Sequence, residues 1–321
     1  MDKIKSLTGM LDLYDDGDNS LLPAKLFYLE EKIKHIFKSY KLNEIRTPVL
    51  EDTNLFIRSV GRASDIVNKE IYSFSDRNDK GIALRPEGTA SVIRSIVEKK
   101  LDQSNHKLWY LGPMWRYERP QKGRYRQFNQ AGVEILGIPE GMPEFEMISI
   151  VCSIIKEFNL ENCTIKINHL GNQKSKESFC NALIDFLEPH KKLLDEKDNQ
   201  RLEKNPLRVL DTKNTNTQEI LKNAPSIKEF LDSSSVNLLN SIKNEFSDIS
   251  NIEIDYTLVR GLDYYSGFVF EAVSSNLGAQ DSFLGGGRYD QLCAKLGGKN
   301  LPSIGMAIGL ERFAELIEVN N

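Results

Sequence analysis

The feature that most limits how this chain can fold is a pair of strand-like segments between Leu108 and Leu136, separated by a strongly basic stretch. Both segments alternate with a period of two, which is the pattern of a half-buried β-strand, so we expect a β-hairpin. The basic stretch carries five positive charges within eleven residues: Arg116, Arg119, Lys122, Arg124 and Arg126. We interpret the hairpin as a structure that binds phosphate groups, although a solvated loop that keeps a sheet edge soluble has the same charge pattern.

The period of two also assigns side chains to faces of the hairpin. Tyr110 and Arg116 would share one face of the first strand, and Phe128, Gln130 and Glu134 would share a face of the second. An aromatic ring, an amide and a carboxylate would then line one surface beside a cationic loop. Such a surface suits a ligand that combines a planar base, a polyphosphate and a cationic or hydrogen-bonding group.

A second motif is the turn at residues 84–90, with the sequence LRPEGTA, which leads into a segment of helical apolar period at Ile93, Ile96 and Val97. Thr89 is in the place of a helix cap. Glu87 stands at the mouth of the turn, where its carboxylate would be available to an ammonium group.

Two further motifs lie near the end of the chain. In residues 258–267, Arg260 stands beside a glycine and before Tyr264 and Tyr265, which predicts a cation held near a pocket at the entrance of a strand. In residues 283–290, three consecutive glycines allow close approach of the backbone. Arg312 then falls in the first turn of a predicted helix whose buried stripe is Leu310, Phe313, Ala314 and Ile317.

Together these motifs resemble the catalytic region of the histidyl-tRNA synthetase family, which belongs to the class II aminoacyl-tRNA synthetases, over nearly all 321 residues. Residues 46–51 around Pro48 resemble motif 1 of that class, residues 116–134 resemble motif 2, and residues 305–312 resemble motif 3. These three motifs indicate only the class. Residues 258–265 and 284–289 resemble the two stretches that distinguish the histidine enzyme from its class II relatives.

The predicted fold is α+β, with a mixed, mainly antiparallel sheet flanked by helices, as in the class II catalytic core. An amphipathic helix is expected from Pro23. The expected strands of one long sheet are 44–49, 82–85, 107–117, 127–136, 164–169, 256–259, 267–273 and 303–307. We expect residues 1–172 and 252–321 to form the core. Residues 173–251, rich in Lys, Asp, Glu, Asn and Leu, are predicted to form a helical insertion, either a solvated appendage or a lobe that closes over the acceptor arm of tRNA.

The resemblance implies activation of an amino-acid carboxylate by ATP, followed by acyl transfer to a ribose hydroxyl of tRNA. Arg116 and Arg260 would bracket the carboxylate and the α-phosphate and would be the catalytic residues. Arg124 and Arg312 would bind the β- and γ-phosphates. Phe128 and the Arg312 guanidinium would sandwich the adenine, so that Arg116, Arg124, Phe128 and Arg312 form the ATP site.

The resemblance also implies a histidine site made of six residues: Glu87, Thr89, Gln130, Glu134, Tyr264 and Tyr265. The first three would orient the α-ammonium group. Glu134 and Tyr265 would bind the two ring nitrogens and so fix the tautomer of the imidazole. Tyr264 is equally consistent with a place in the core.

Magnesium is expected to arrive with ATP and to leave with pyrophosphate, with no metal bound by the protein itself. Glu311 is either a ligand of that ion or a first-turn carboxylate that faces the helix dipole. Arg119, Gln121 and Lys122 are exposed candidates for contact with the tRNA acceptor stem, or simply a solvated loop.

Composition agrees with this family but does not identify it. The formal charge of −4 excludes a protein coated in basic surface, so RNA contacts must come from local patches. The four cysteines are widely spaced with no CxxC, so no zinc site is expected. No signal peptide or membrane span is evident, so we expect a cytoplasmic protein, and motif 1 implies a homodimer.

The chain stops nine residues after Arg312, where family members continue into an anticodon-binding domain. The leading interpretation is the catalytic part of the enzyme. The alternative is the histidine-sensing regulatory subunit of ATP phosphoribosyltransferase, but such paralogues typically lose ATP-binding arginines that are present here. An amide-forming ligase on the same core would have no reason for the cluster from Arg260 to Tyr265.

Overall fold

The computed structural model describes residues 3–14, 23–61, 64, 66–121, 123–278 and 281–318. In chain order its strands are β1 (Asn43–Glu44), β2 (Leu50–Asp52), β3 (Ser73–Ser75), β4 (Gly81–Leu84), β5 (His106–Trp115), β6 (Gln127–Leu136), β7 (Cys163–His169), β8 (Asn251–Ile254), β9 (Phe268–Ser274), β10 (Ser282–Arg288) and β11 (Ser303–Gly309). Its α-helices are α1 (Pro23–Ser39), α2 (Thr53–Val60), α3 (Thr89–Glu98), α4 (Met142–Glu157), α5 (Gln173–Leu187), α6 (Glu196–Lys204), α7 (Thr215–Leu221), α8 (Ser233–Glu245), α9 (Leu292–Lys295) and α10 (Leu310–Ala314).

The main sheet has eight strands in the order β1-β5-β6-β11-β10-β9-β7-β8. The pairs β1–β5 and β7–β8 are parallel, and every other neighbouring pair is antiparallel. The predicted mixed, mainly antiparallel α+β sheet is therefore confirmed. The hairpin of β5 and β6 stays in register over ten residue pairs, from His106↔Leu136 to Trp115↔Gln127.

One face of the main sheet is buried by α1, α4, α8 and α10. The predicted helix from Pro23 is present, and its apolar stripe of Leu26, Leu29, Ile33, Ile36 and Phe37 is buried. The stripe packs against every second residue of the strands, such as Val133 and Ile304. Because alternate residues of a strand point to opposite faces, the side chains of the intervening residues lie on the second face of the sheet, where they can form a site.

A separate three-stranded sheet, β2-β4-β3, corrects two of the strand predictions. Residues 82–85 were expected in the long sheet, but β4 pairs with β2 and β3 instead. Of residues 44–49, only Glu44 belongs to a strand, and the chain then runs as a loop to β2. Pro48 in this stretch has no amide hydrogen to donate to a ladder, which is consistent with the interruption.

Two other strand predictions differ from the structure near the end of the chain. Residues 256–259 are not a strand: the strand nearby is β8, and Leu258 is buried in the loop that follows it. Conversely, the glycine-rich stretch predicted only to allow close approach is the central part of β10, which pairs on both sides.

Between β7 and β8 the chain forms α5, α6, α7 and α8 with short 3-10 segments, and no strand occurs in this fully described stretch. The helices bring Leu183, Leu202 and Leu207 into an apolar cluster that also contains Tyr264 and Tyr265 of the core. The boundaries of a separate insertion at residues 173 and 251 stay a prediction.

Within the described residues, no helix has both the length and the apolar character needed to cross a membrane. The 17-residue helix α1 is amphipathic, with charged side chains opposite its buried stripe.

Candidate functional site

The second face of the main sheet has a shallow trough at its centre, because small residues meet there in register. Gly132 of β6 pairs with Ala307 of β11, which pairs with Gly285 of β10. Two residues further along β6, Glu134 pairs with Gly305 of β11, which in turn pairs with Gly287 of β10. Antiparallel partners point to the same face, so these positions leave room for flat groups to lie directly on the backbone.

Two side chains use this room on the β6 side. The ring of Tyr110 lies over Gly132, where an added methyl group would be 2.5 Å from its Cε1 and closer still to its hydroxyl. The carboxyl group of Glu134 lies over Gly305, where a methyl group would be 2.7 Å from its Cδ. Both positions therefore require glycine, because any larger residue would displace the polar group that lies against the backbone there.

Two more side chains lie on the glycines of β10. The guanidinium of Arg260 covers Gly285, where a methyl group would be 2.6 Å from Nη1 and closer still to Cζ. The ring of Tyr265 lies over Gly287, with 3.0 Å between its Cδ1 and the position of a methyl group. The residues predicted from two distant motifs, Glu134 and Arg260, thus lie on one trough.

Glu134 is a fully buried acid held by two hydroxyl groups. Thr89 donates to its Oε1 at 2.6 Å, and Tyr289 donates to its Oε2. Burial raises the pKa of Glu134 to about 8, although both hydroxyl groups oppose the shift. The buried carboxyl group therefore holds its proton more tightly than an exposed glutamate does.

Glu87 organises the start of α3. Its carboxylate accepts hydrogen bonds from the backbone amides of Thr89 at 2.7 Å and Ala90 at 2.8 Å. Thr89 is the first residue of the helix rather than its cap, so its hydroxyl is free to reach Glu134. Tyr264 donates to Glu87 at 3.5 Å, and its ring centroid lies 4.8 Å from that of Tyr265. Burial raises the pKa of Glu87, which the amide hydrogen bonds counteract in part.

Three buried polar atoms around the trough have no hydrogen-bond partner within the described part of the chain: the Tyr110 hydroxyl, Oε1 of Gln130 and Nε of Arg260. Buried polar groups are nearly always hydrogen-bonded, because an unpaired one costs about 1–3 kcal/mol. Two donors and an acceptor grouped in this way fit a ligand that itself carries both donors and acceptors.

A cleft of about 540 Å³ opens beside the trough. Its walls include the predicted residues Arg116, Arg124, Phe128, Gln130, Arg260 and Arg312. Arg116 donates from Nε to the carbonyl of Pro86 at 2.9 Å, and its guanidinium lies 5.3 Å from the ring centroid of Phe128. These contacts hold the guanidinium between the motif 2 hairpin and the turn that carries Glu87.

The other three arginines differ in their partners. Arg260 pairs with Glu271 of β9, and Arg124 lies 3.1 Å from Glu118. No ion pair is recorded for Arg312 with any described residue, and its pKa is lowered, first by burial and then by the nearby charge of Arg124. Two guanidinium groups held together in a cleft favour a polyanion between them.

Glu311 has a structural contact that sequence analysis did not predict. Its carboxylate accepts from the backbone amide of Asn129 at 2.8 Å and from the Asn129 side chain at 2.8 Å, so it ties α10 to β6. Among the described residues, no group of three His, Cys, Asp or Glu side chains is placed to hold a metal ion. Arg119 and Gln121 are exposed, and Lys122 lies outside the described residues.

The predicted site residues therefore fall into two adjoining groups. The buried group is Glu87, Thr89, Glu134, Tyr264 and Tyr265, and the cleft group is Arg116, Arg124, Phe128, Gln130, Arg260 and Arg312.

Sequence analysis missed the roles of three side chains. Tyr289 had been noted only as part of a motif, yet it bonds Glu134 from 155 positions away. Glu271, the partner of Arg260, and the unpaired hydroxyl of Tyr110 also had no signal of their own. For Glu271 and Tyr110 the paired glycines, Gly285 and Gly132, were the usable signal, because a glycine inside a strand often marks close approach.

Comparisons with known proteins cover the same region. A family model described as histidyl-tRNA synthetase matches residues 22–313, which include every residue placed in the site above. A histidine–tRNA ligase of Francisella philomiragia is 46% identical over 309 residues, which make up 94% of this chain and 73% of that protein. One from Prochlorococcus marinus is 44% identical over 320 residues, 99% of this chain and 74% of its own length.

Among solved structures, the crystal structure of apo histidyl-tRNA synthetase from S. aureus is similar to this chain with a TM-score of 0.76 and 33% identity. The similarity covers 99% of this chain and 76% of that one. The chain thus spans about three quarters of the length of these relatives.

Proposed function

The chain belongs to the histidyl-tRNA synthetase family, and on that premise we propose that it activates histidine with ATP and transfers the histidyl group to the 3′ end of histidine tRNA. The observation that carries the proposal is the juxtaposition of the buried acid Glu134 with an arginine-lined cleft. The buried acid fits an imidazole, and the arginine-lined cleft fits a triphosphate. Each half taken alone would fit many ligands.

The first step needs control of charge rather than a base. A histidine carboxylate is ionised at neutral pH, so one of its oxygens attacks the α-phosphorus directly while the bond to the β-phosphate oxygen breaks and pyrophosphate leaves. The approaching anions repel by about 4 kcal/mol at a separation of about 4 Å in a medium of dielectric constant about 20. Arg116 and Arg260, which line the same cleft, would offset this repulsion and stabilise the pentacovalent state.

Nucleotide binding would use the rest of the cleft. Arg124 and Arg312 would bind the β- and γ-phosphates, and a bound polyanion would offset both the burial and the neighbouring charge of Arg124 that lower the pKa of Arg312. Phe128 would stack on the adenine, opposite Arg312. We propose that Mg²⁺ arrives bound to the phosphates of ATP and leaves with pyrophosphate, because Glu311 is occupied by Asn129.

Histidine would bind on the trough. Glu134 and Tyr265 would take the two ring nitrogens, and the buried carboxyl group of Glu134, whose pKa is raised to about 8 by burial, can form a hydrogen bond with an imidazole nitrogen. Glu87, Thr89 and Gln130 would orient the α-ammonium group. A competitor without a polar ring would strand the buried carboxyl group, which can disfavour it by about 10⁴-fold.

In the second step, a hydroxyl of the terminal ribose of tRNA would attack the acyl carbon, and AMP would leave. Arg119 and Gln121 are exposed at the rim of the hairpin and are proposed to contact the acceptor stem.

The alternative of a histidine-sensing regulatory subunit is not favoured. The relatives that are 44–46% identical carry the name of the ligase. The four arginines that a sensor would not need all line the cleft.

We also propose a homodimer. Pro48 precedes β2, where Val49 and Leu50 are 39% and 44% exposed, and Phe74 on the same small sheet is 50% exposed. Val49 and Leu50 lie in the region that resembles motif 1, Phe74 lies on the same small sheet, and burial against a second copy would remove all three from water. A monomer mass in sedimentation at micromolar concentration would contradict the proposal.

A cytoplasmic location is proposed from the cysteines. Cys152, Cys163, Cys180 and Cys293 are all free thiols, which suits a reducing compartment. Cell fractionation with a tagged protein tests the proposal, and recovery with secreted proteins would oppose it.

The enzyme proposal is tested by histidine-dependent exchange of labelled pyrophosphate into ATP. We expect exchange with histidine, ATP and Mg²⁺, none without histidine, and a loss of at least about 100-fold in an Arg116→Ala variant. Histidine binding by calorimetry with exchange at background would instead identify a sensor.

A further inference from the structure

The 3-10 segment Pro206–Asp211, between α6 and α7, is fixed against the loop that carries Arg260. Leu207 and Val209 are buried in the same apolar cluster as Leu258 and Tyr264. The residue between them, Arg208, is directed away from that cluster and lines the cleft. This segment is therefore a rigid support for a single cationic side chain.

A hydrogen bond strengthens the attachment. Asn205 donates from its side chain to Asp263 at 2.8 Å. Asp263 directly precedes Tyr264, so the segment from the region between β7 and β8 is connected to the loop that supplies both Arg260 and the tyrosines.

The guanidinium of Arg208 is placed close to the site but is poorly paired. A methyl group on Gly261 would lie 3.5 Å from its Nη1, and Gly261 is the neighbour of Arg260. Its side chain is only 15% exposed, and the one ion pair recorded for it among the described residues is with Asp211 at 4.0 Å. By contrast, Arg201 on α6 contacts Asp198 at 3.2 Å. Arg208 therefore holds donors that can serve a ligand in the cleft.

We propose that Arg208 binds a phosphate group of the nucleotide, as ATP in the forward direction and as pyrophosphate in the reverse direction. The proposal rests on the proposed function and adds a substrate contact from outside the three class II motifs. A planar guanidinium presents paired donors that match phosphate oxygens. Its low exposure, inside a cleft shared with Arg116 and Arg312, favours a small phosphate ligand over an RNA backbone on the surface.

The test is steady-state pyrophosphate exchange with Arg208→Ala, Arg208→Gln and Arg208→Lys. We expect the KM values for ATP and for pyrophosphate to rise by about 10- to 100-fold in the Ala and Gln variants, the range for the loss of one charge-assisted hydrogen bond. The KM for histidine should stay within about twofold, and the Lys variant should be intermediate because it keeps the charge without the fork.

A matched control is Lys222→Ala, which removes an exposed cation paired with Glu219 outside the cleft and should match the wild type. Melting temperatures identify variants that fail to fold. If the Ala or Gln variant does not fold, the Arg208→Lys variant, which keeps the charge, still tests the proposal. Equal increases in the KM for histidine and for ATP would show a structural role and overturn the proposal. So would normal exchange combined with slow transfer from preformed adenylate to tRNA, which would assign Arg208 to RNA. If the wild type itself shows no exchange, it is the proposed function that fails.

Discussion

Replacing Gly285 with alanine should slow adenylate formation by about 100-fold, with the protein still folded. The methyl group would lie 2.6 Å from Nη1 of Arg260, whereas ordinary contacts begin at 3.4 Å, so the guanidinium must move by about 0.8 Å or more. Nη1 is also the atom that pairs with Glu271, so the movement weakens that pair as well. A misplacement of about 1 Å in a reacting site can cost about 10²-fold in rate, or about 2.7 kcal/mol in the barrier.

The backbone at Gly285 does not require glycine for its conformation, so the effect should come from the contact with Arg260. Rapid quenching gives the rate of adenylate formation at saturating histidine and ATP, and the melting temperature gives the folded state. Gly81→Ala, on β4 of the small sheet, is the matched control, because the atom nearest to its methyl group is Oγ1 of Thr53 at 3.4 Å, an ordinary contact distance. A wild-type rate in folded Gly285→Ala protein would refute the placement of Arg260 on this glycine as the basis of its role.

Other substitutions should separate the two halves of the site. Tyr289→Phe removes a hydroxyl that donates to Glu134, so we expect the KM for histidine to rise by about 10-fold and the KM for ATP to change little in exchange assays. Arg312→Ala should do the reverse, with the KM for ATP rising by about 10- to 100-fold. The pKa of Glu134 is raised from 4.5 to about 8, so the folded ligand-free protein holds a proton that the unfolded chain releases. This contribution to stability is fully present below about pH 4.5 and is lost as the pH rises to about 8, so the melting temperature of the wild type should fall relative to that of Glu134→Gln between about pH 4.5 and pH 8.

The sequence predicts best where a local pattern determines the structure. The alternation on either side of the basic stretch predicts β6 with its observed ends. The partner of β6 is the preceding strand of the same hairpin, so the pairing does not depend on contacts with distant parts of the chain. The helix from Pro23 is predicted for the same reason, since its period of 3.6 and its starting proline are local. The strand predicted at residues 256–259 is wrong because a short apolar segment can be buried in a loop as well as in a strand.

The partners of the site residues could not be predicted in this way. Tyr289 meets Glu134 only because β10 pairs with β11 and β11 with β6, an order that joins strands far apart in the chain. Glu271 is brought to Arg260 by the pairing of β9 with β10 in the same manner. The family resemblance therefore predicts the identity of the site residues, whereas the strand register determines which of them are in contact.

The most direct test of the account is pre-steady-state formation of histidyl-adenylate by the wild type and by folded Arg260→Ala protein. We expect the wild type to form adenylate from histidine and ATP in a rapid burst. In Arg260→Ala the rate should fall by at least about 100-fold while the KM values for histidine and ATP change much less, because the guanidinium acts on the approach of the two anions. Histidine binding without any adenylate in the wild type, or a wild-type rate in Arg260→Ala, would contradict it.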